Sequence, residues 1–383
     1  MAILLGMFLN NLRAAQPEEK YLDMEDLGLN PWLELYDVRT PVVGYDDNVL
    51  LTDADKKGSG FVENGADATF ERLPITSNWE LRLSLDGDDR RYWRGNTGVD
   101  HEDLWSLIAE ADRDFTNGWK FQARGLYSYS YQVVEVLLAQ GTNRAVQAPI
   151  QGHMLTFRPT IEKEFGEHWL AGLQIEGTRE FVTAPADSFF RYGPTIKLAY
   201  GYGWGSEIAL SYTIQQQLYD HLMDLDQSGG DTTGGSLRML KQEGALGWKH
   251  VWGPTKRWQT GAKLDYASWQ DNGSGYYNYH DYQASAEVRF HTRKWDVTCS
   301  GNVEYLNFPI QDALTLAEQN LQPDASNPPK FRQTLFLLNF RAERHFTKWL
   351  SAFADYGNDT SLSDSVDQVW HANTIKGGLE WAF

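Results

Sequence analysis

The chain has 383 residues, a formal net charge of -18 and a mean hydropathy of -0.51, yet 14% of it is aromatic and it holds 15 Trp, 19 Tyr and 34 Gly. No apolar run reaches the roughly 20 residues that a membrane-spanning helix needs, which excludes a helical membrane protein. An acidic chain without a basic cluster has no footprint for nucleic acid, and a single cysteine, Cys299, excludes an internal disulfide.

Met1 to Leu9 are apolar and are followed by Arg13, Ala14, Ala15 and Gln16, so residues 1–15 read as a signal-peptide remnant and 16–32 as a periplasmic N-terminal segment. Arg13 departs from the pattern, because a small residue is expected three places before a cut after Ala15. From residue 33 to residue 383 the chain reads as strands. They are expected at 33–45, 64–73, 77–88, 103–115, 119–134, 152–165, 169–183, 188–202, 205–219, 236–253, 257–270, 278–292, 295–308, 330–345, 349–357 and 367–383. That makes about sixteen, with fourteen to eighteen compatible with the pattern because Pro41 interrupts the first.

A tryptophan follows each tight polar turn: Trp79, Trp119, Trp169, Trp204, Trp258, Trp295 and Trp349. Such a repeat has room for two long strands, one short turn and one longer loop, as in a transmembrane β-barrel with an aromatic girdle at the membrane interface. A soluble propeller would need four strands in the same length. Trp381 and Phe383, closing the last strand, complete the expected interfacial set.

Period-two alternation runs along these strands. Leu81, Leu83 and Leu85 oppose Glu80, Arg82 and Ser84; Thr260, Ala262, Leu264 and Tyr266 oppose Gln259, Gly261, Lys263 and Asp265. Helical spacing does not fit such strict alternation. The Trp belongs to the apolar set, as does Cys299 between Val297 and Gly301. One face therefore meets lipid and the other a polar lumen, and an amphipathic sheet in lipid must close. The expected fold is all-β, a closed antiparallel transmembrane β-barrel with short periplasmic turns and longer extracellular loops. The expected pore-lining residues are Glu80, Arg82, Asp112, Arg124, Arg158, Glu162, Glu176, Lys197, Glu207, Lys249, Lys263, Asp265, Glu287, Arg289, Arg341, Glu343, Lys376 and Glu380. Mixed charges at this density suit a wetted lumen, since a dry interior would have to pair every one.

Loops are expected near 46–63, 89–102, 135–151, 220–235, 309–329 and 358–366, with short ones at 184–187 and 271–277. Several are rich in aspartate: Asp46, Asp47, Asp53 and Asp55 in the first, Asp86, Asp88 and Asp89 beside the second, and Asp220, Asp224, Asp226 and Asp231 in the fourth. Aspartate clusters offer oxygen ligands for Ca2+, but solvated turn-forming Asp is the simpler reading, and no metal or cofactor is expected. Asp271-Asn272-Gly273-Ser274-Gly275-Tyr276 lacks the Glu of an EF-hand loop and reads as a hairpin turn. His101 among Asp100, Glu102 and Asp103, and His221 beside Asp220, are the rim pairings an enzyme would draw on. Neither has a linked nucleophile motif, so no catalytic residue is expected.

The segment Gly44-Tyr45-Asp46-Asp47-Asn48-Val49, after an extended first strand and before the hairpin series, resembles the opening of the outer-membrane β-barrel porin type 2 grouping. The resemblance covers barrel layout across nearly the whole chain but only this short motif in residue identity, and it implies a Gram-negative outer-membrane barrel. Some members of the grouping are implicated in exopolysaccharide export. The function expected is a porin-like channel for passive diffusion of small hydrophilic solutes or ions, with a mild cation preference. Its alternatives are the membrane conduit of an export system and a rim-site enzyme. Expected partners are outer-membrane lipid, the barrel-assembly machinery through the C-terminal strand, and a homotrimer or export-system proteins. Both termini are expected in the periplasm.

Overall fold

The computed structural model describes residues 32–51, 56–72, 79–93, 99–137, 145–183, 187–203, 205–227, 232–313, 329–364 and 368–383. Residues 1–15, the N-terminal segment up to residue 31, Trp204, Asp53, Asp55 and Asp231 lie outside them. The strands in chain order are β1 (Trp32–Asp46), β2 (Ser59–Arg72), β3 (Trp79–Tyr92), β4 (His101–Asp114), β5 (Trp119–Leu137), β6 (Ala145–Phe165), β7 (Trp169–Val182) and β8 (Phe189–Gly201). They continue as β9 (Glu207–Leu225), β10 (Thr232–Trp252), β11 (Trp258–Asp271), β12 (Tyr279–His291), β13 (Trp295–Asp312), β14 (Lys330–His345), β15 (Leu350–Ser363) and β16 (Trp370–Ala382). Each pairs antiparallel with its neighbours, and β1 pairs with β16, so the sheet closes into a sixteen-stranded barrel. Closure leaves no edge whose backbone groups would be stranded in hydrocarbon.

The expected strand count holds, and β5, β7 and β13 begin at the expected Trp119, Trp169 and Trp295. The opposite ends differ. β3 runs on to Tyr92, β6 starts at Ala145, β9 reaches Leu225, β10 starts at Thr232 and β15 reaches Ser363, so the loops are shorter than expected. Beyond the lipid both faces meet water and the alternation fades, while the hydrogen-bond ladder continues. Asp89 therefore belongs to β3, with Asp86 and Asp88, and Asp220 and Asp224 belong to β9, rather than to loops.

Pro41 does not end β1. Arg39 pairs with Gly65 and Val42 with Glu63, so Thr40 and Pro41 together oppose Asn64 in a bulge. A bulge accommodates a residue with no N–H to donate, and the added residue reverses parity. Odd-numbered Arg39 on one side of it and even-numbered Val42, Gly44 and Asp46 on the other all turn inward.

Contacts that skip a strand show which face is concave. Arg39 of β1 reaches Asp88 of β3 at 3.0 Å, Arg341 of β14 reaches Glu380 of β16 at 2.7 Å, and Lys376 of β16 reaches Glu63 of β2 at 2.5 Å. Side chains converge in this way inside a barrel and splay apart outside it. The outward parity carries the exposed apolar groups, including Leu83, Leu155, Phe157, Ile175, Ile196, Leu210 and Leu264, with Cys299 among them. Trp119, Trp169, Trp258, Trp295 and Trp349 form an exposed row at the short-turn end, where Trp349 stacks on Trp381 at 5.6 Å. Towards the loop end Tyr127, Tyr192, Tyr212, Tyr266, Tyr282 and Tyr356 form a second outward row. From Trp258 to Tyr266 is a stretch of strand that, at ~3.3 Å per residue and a tilt of ~40°, spans roughly 20 Å of bilayer.

Candidate functional site

The inner wall is built from arginines surrounded by carboxylates. Arg39 lies 3.5, 3.4 and 3.0 Å from Asp67, Asp86 and Asp88. Arg82 lies 3.3, 3.6 and 3.7 Å from Glu71, Glu80 and Glu110. Arg341 lies 3.3, 3.3 and 2.7 Å from Glu343, Asp355 and Glu380. Each knot thus gathers three acids around one guanidinium, whose planar fork can serve several carboxylates at once. The reverse stoichiometry occurs at Glu176, which faces Arg158 at 2.6 Å and Arg191 at 3.7 Å.

All eighteen residues expected to line the pore share the inward parity. Glu80, Arg82, Arg158, Glu176, Arg341, Glu343 and Glu380 are brought together in the knots above. Arg124 pairs with Glu110 at 3.3 Å, Lys197 with Glu207 at 3.3 Å, Lys263 with Asp265 at 2.6 Å, Arg289 with Asp296 at 2.6 Å and Lys376 with Glu63 at 2.5 Å. Asp112, Glu162, Lys249 and Glu287 stand on the same face by register. The expected set missed Arg39, Glu63, Asp67, Glu71, Asp86, Asp88, Arg90, Glu102, Glu110, Arg191, Asp296 and Asp355. Carrying the parity of Glu80 and Arg82 along β3 would have reached Asp86, Asp88 and Arg90.

The aspartates at the end of β1 make a latch. Asp46 accepts from the backbone N–H of Asn48 at 2.9 Å and from Thr374 Oγ1 at 3.0 Å. Asp47 accepts from the backbone N–H and the side-chain amide of Asn373, and Asn48 Nδ2 donates to the His371 carbonyl at 3.0 Å. Gly44 is required at the base of this latch, because a Cβ there would stand 2.3 Å from the Phe61 ring and 2.7 Å from the Ile375 carbonyl. The latch turns Val49, Leu50 and Leu51 into the barrel. Val49 and Leu50 pack on Phe61, Tyr92 and Val99, while Leu51 packs against the cluster of Leu306, Phe308, Leu335 and Trp370. A third cluster, Leu237, Met239, Ala267 and Trp269, continues this apolar collar along β10 and β11. The lumen is therefore charged along its length and apolar towards the loop end.

Two loop expectations resolve in detail. Asp271 takes the backbone amides of Gly273, Gly275 and Tyr277 on its two carboxylate oxygens, so the segment is the hairpin turn expected of it. His221 is held at 3.1 Å by Asp187, whereas the neighbouring Asp220 binds Arg179. The carboxyl of Asp187 is raised by burial, but the His221 and Leu222 backbone amides and the His221 ring outweigh this and hold it below the usual carboxylate range. His101 stacks on Tyr131 at 4.4 Å and faces Asp103 on the outward parity. Among the described residues no group of three or more His, Cys, Asp or Glu side chains is arranged to hold a metal ion.

No protein-family model matches the sequence, and no curated protein does. Among solved structures the barrel is similar to the outer membrane protein OprD from Pseudomonas aeruginosa, at 8% identity over 92% of this chain and 93% of that one, with a TM-score of 0.42. It is similar to Acinetobacter baumannii OccAB1 at 9% identity over 92% and 96%, with a TM-score of 0.44. It is also similar to the copper transporter OprC at 10% identity over 89% and 64%, with a TM-score of 0.45, so this chain spans less than two thirds of that transporter. These likenesses carry nothing about cargo. On its own strand pairing and surface, the chain is a closed sixteen-stranded antiparallel β-barrel with the apolar exterior and interfacial aromatics of outer-membrane barrels.

Proposed function

We propose that the protein is an outer-membrane channel through which small hydrophilic solutes diffuse passively, with cations preferred. The observation that carries this reading is the set of three-carboxylate knots around Arg39, Arg82 and Arg341, each of which leaves an excess of negative charge on the inner wall. A barrel of this strand number is wide enough for an aqueous interior. The eighteen inward charges named from the sequence are pore-lining residues in this reading, and the infolded segment 47–51 narrows the loop end.

The apolar collar at that end favours a second reading, the membrane conduit of an export system that opens on meeting a partner. Outward-facing Trp381 of β16 and the exposed Phe383 just after the strand suit docking to the barrel-assembly machinery, and a homotrimer is the assembly proposed for a free-standing porin. Planar-bilayer conductance of the refolded protein tests the first reading, with heat-modifiable gel migration as the control for folding. Discrete steps with a cation-selective reversal potential in a salt gradient are expected. Anion selectivity overturns the cation preference, and silence from a folded barrel transfers the case to the partner-dependent conduit.

A further inference from the structure

We propose that the inner wall of β11–β13 binds an organic cation, an ammonium or guanidinium group carried on a flat or apolar body; this rests on the channel reading and names its solute class. Asp281 and Glu304 lie on the inner face of neighbouring strands. Asp281 stands opposite Leu306 and Glu304 opposite Gln283, so the two acids are one diagonal step apart, about 7–8 Å between backbones. A single multi-donor cation can reach both.

Neither carboxylate has a hydrogen bond or an ion pair among the described residues, and Glu304 is only 8% exposed. The knots around Arg39, Arg82 and Arg341 each hold their own guanidinium. Here the cation within electrostatic reach of both acids is Lys241, which is engaged by Glu243 and lies 5.4 Å over the Trp269 ring. Water can fill lone pairs on two such acids, but it supplies no countercharge.

The neighbouring wall is aromatic and carries an orphan donor. Trp269 stacks on Tyr279 with centroids 5.5 Å apart, and Tyr279 stacks on Phe308 at 4.9 Å. The Trp269 indole N–H is buried without an acceptor, in a side chain 8% exposed. An ammonium or guanidinium would neutralise the two carboxylates, and the apolar body that carries it would pack beside this aromatic row. A polar acceptor on the same ligand would take the indole N–H. A metal ion fits less well, since no group of three or more His, Cys, Asp or Glu side chains among the described residues is arranged to hold one, and the rings offer it nothing.

Equilibrium binding to the full refolded chain in detergent tests this, read by titration calorimetry with phenylethylammonium and with phenylethanol as its neutral counterpart. Saturable binding of the cation is expected, weakened at least tenfold by Glu304→Gln and by Asp281→Asn, and unchanged by Glu164→Gln on the inner face of β6. Both site variants conserve side-chain volume, and one that keeps its heat-modifiable migration is sufficient. No binding overturns the proposal. So does equal weakening by Glu164→Gln, which would mean diffuse attraction to an acidic lumen, and so does phenylethanol binding as tightly as the cation. Binding needs no conduction, so a folded barrel that binds but stays silent in bilayers removes the channel reading and keeps the site.

Discussion

Asp47 grips Asn373 twice across the seam of the barrel, accepting the Asn373 backbone N–H at 2.6 Å and its side-chain amide at 2.8 Å. The two residues lie 326 positions apart in the chain, and their contact continues the β1–β16 pairing one residue past Asp46 and Thr374. Replacing Asp47 with Ala should leave the Asn373 groups without their acceptor, at a local cost of about 1–3 kcal/mol. Faster hydrogen exchange at the Asn373 amide and a larger conductance step are the expected outcomes. An unchanged step with faster exchange would mean that segment 47–51 is not the narrow point.

The knot around Arg341 makes a claim about charge. Arg341→Ala leaves Glu343, Asp355 and Glu380 facing one another without their shared cation. Stability should fall by about 1–3 kcal/mol, because the group is partly open to the lumen and its loss is moderated there. Cation selectivity should rise, and reversal potentials in a salt gradient before and after the change measure it.

Adjacent residues on β11 should respond in opposite ways. Leu264 is 58% exposed on the outward parity, and Leu264→Arg should cost about 2–4 kcal/mol in a lipid-embedded barrel. Lys263→Gln, one residue away on the inner face, should cost little. Urea unfolding in lipid vesicles, followed by tryptophan fluorescence, separates the two, and equal costs would contradict the assignment of faces.

Asp187 supplies a pH prediction outside the lipid. Its carboxyl lies below the ordinary range, so the stability it contributes is fully present above the unfolded-state value, about 3.9, and is lost as pH falls through the lower folded value. The His221 and Leu222 amides, held at 2.9 and 2.7 Å, should be protected from exchange near neutrality and lose that protection in strong acid. Asp187→Ala should remove it at every pH. Protection that persists in the variant would show that the strand, not the carboxylate, supplies it.

Much of the architecture was legible in the residues because lipid imposes a period-two code. Leu81, Leu83 and Leu85 against Glu80, Arg82 and Ser84 assign both faces of β3 without any knowledge of its neighbours. The same code put the eighteen charges named as pore-lining on one parity, and Trp79, Trp119, Trp169, Trp258 and Trp295 located strand starts because the indole sits where lipid meets water. The code fails where the solvent is the same on both faces. The outer parts of β3, β6, β9 and β15 therefore read as loops, and the Thr40–Pro41 bulge, which reverses parity within β1, left no periodic signal.

The sequence alone thus determined which side of each strand meets lipid and roughly how many strands there are, since both follow from local alternation against the surrounding medium. The tertiary structure decided who meets whom. Arg39 and Asp88 lie two strands apart, Asp47 and Asn373 stand at opposite ends of the chain, and Asp281 and Glu304 become diagonal neighbours only through the β12–β13 register. Such partners are fixed by closure and register, which depend on the whole ring of strands, so no single segment carries them.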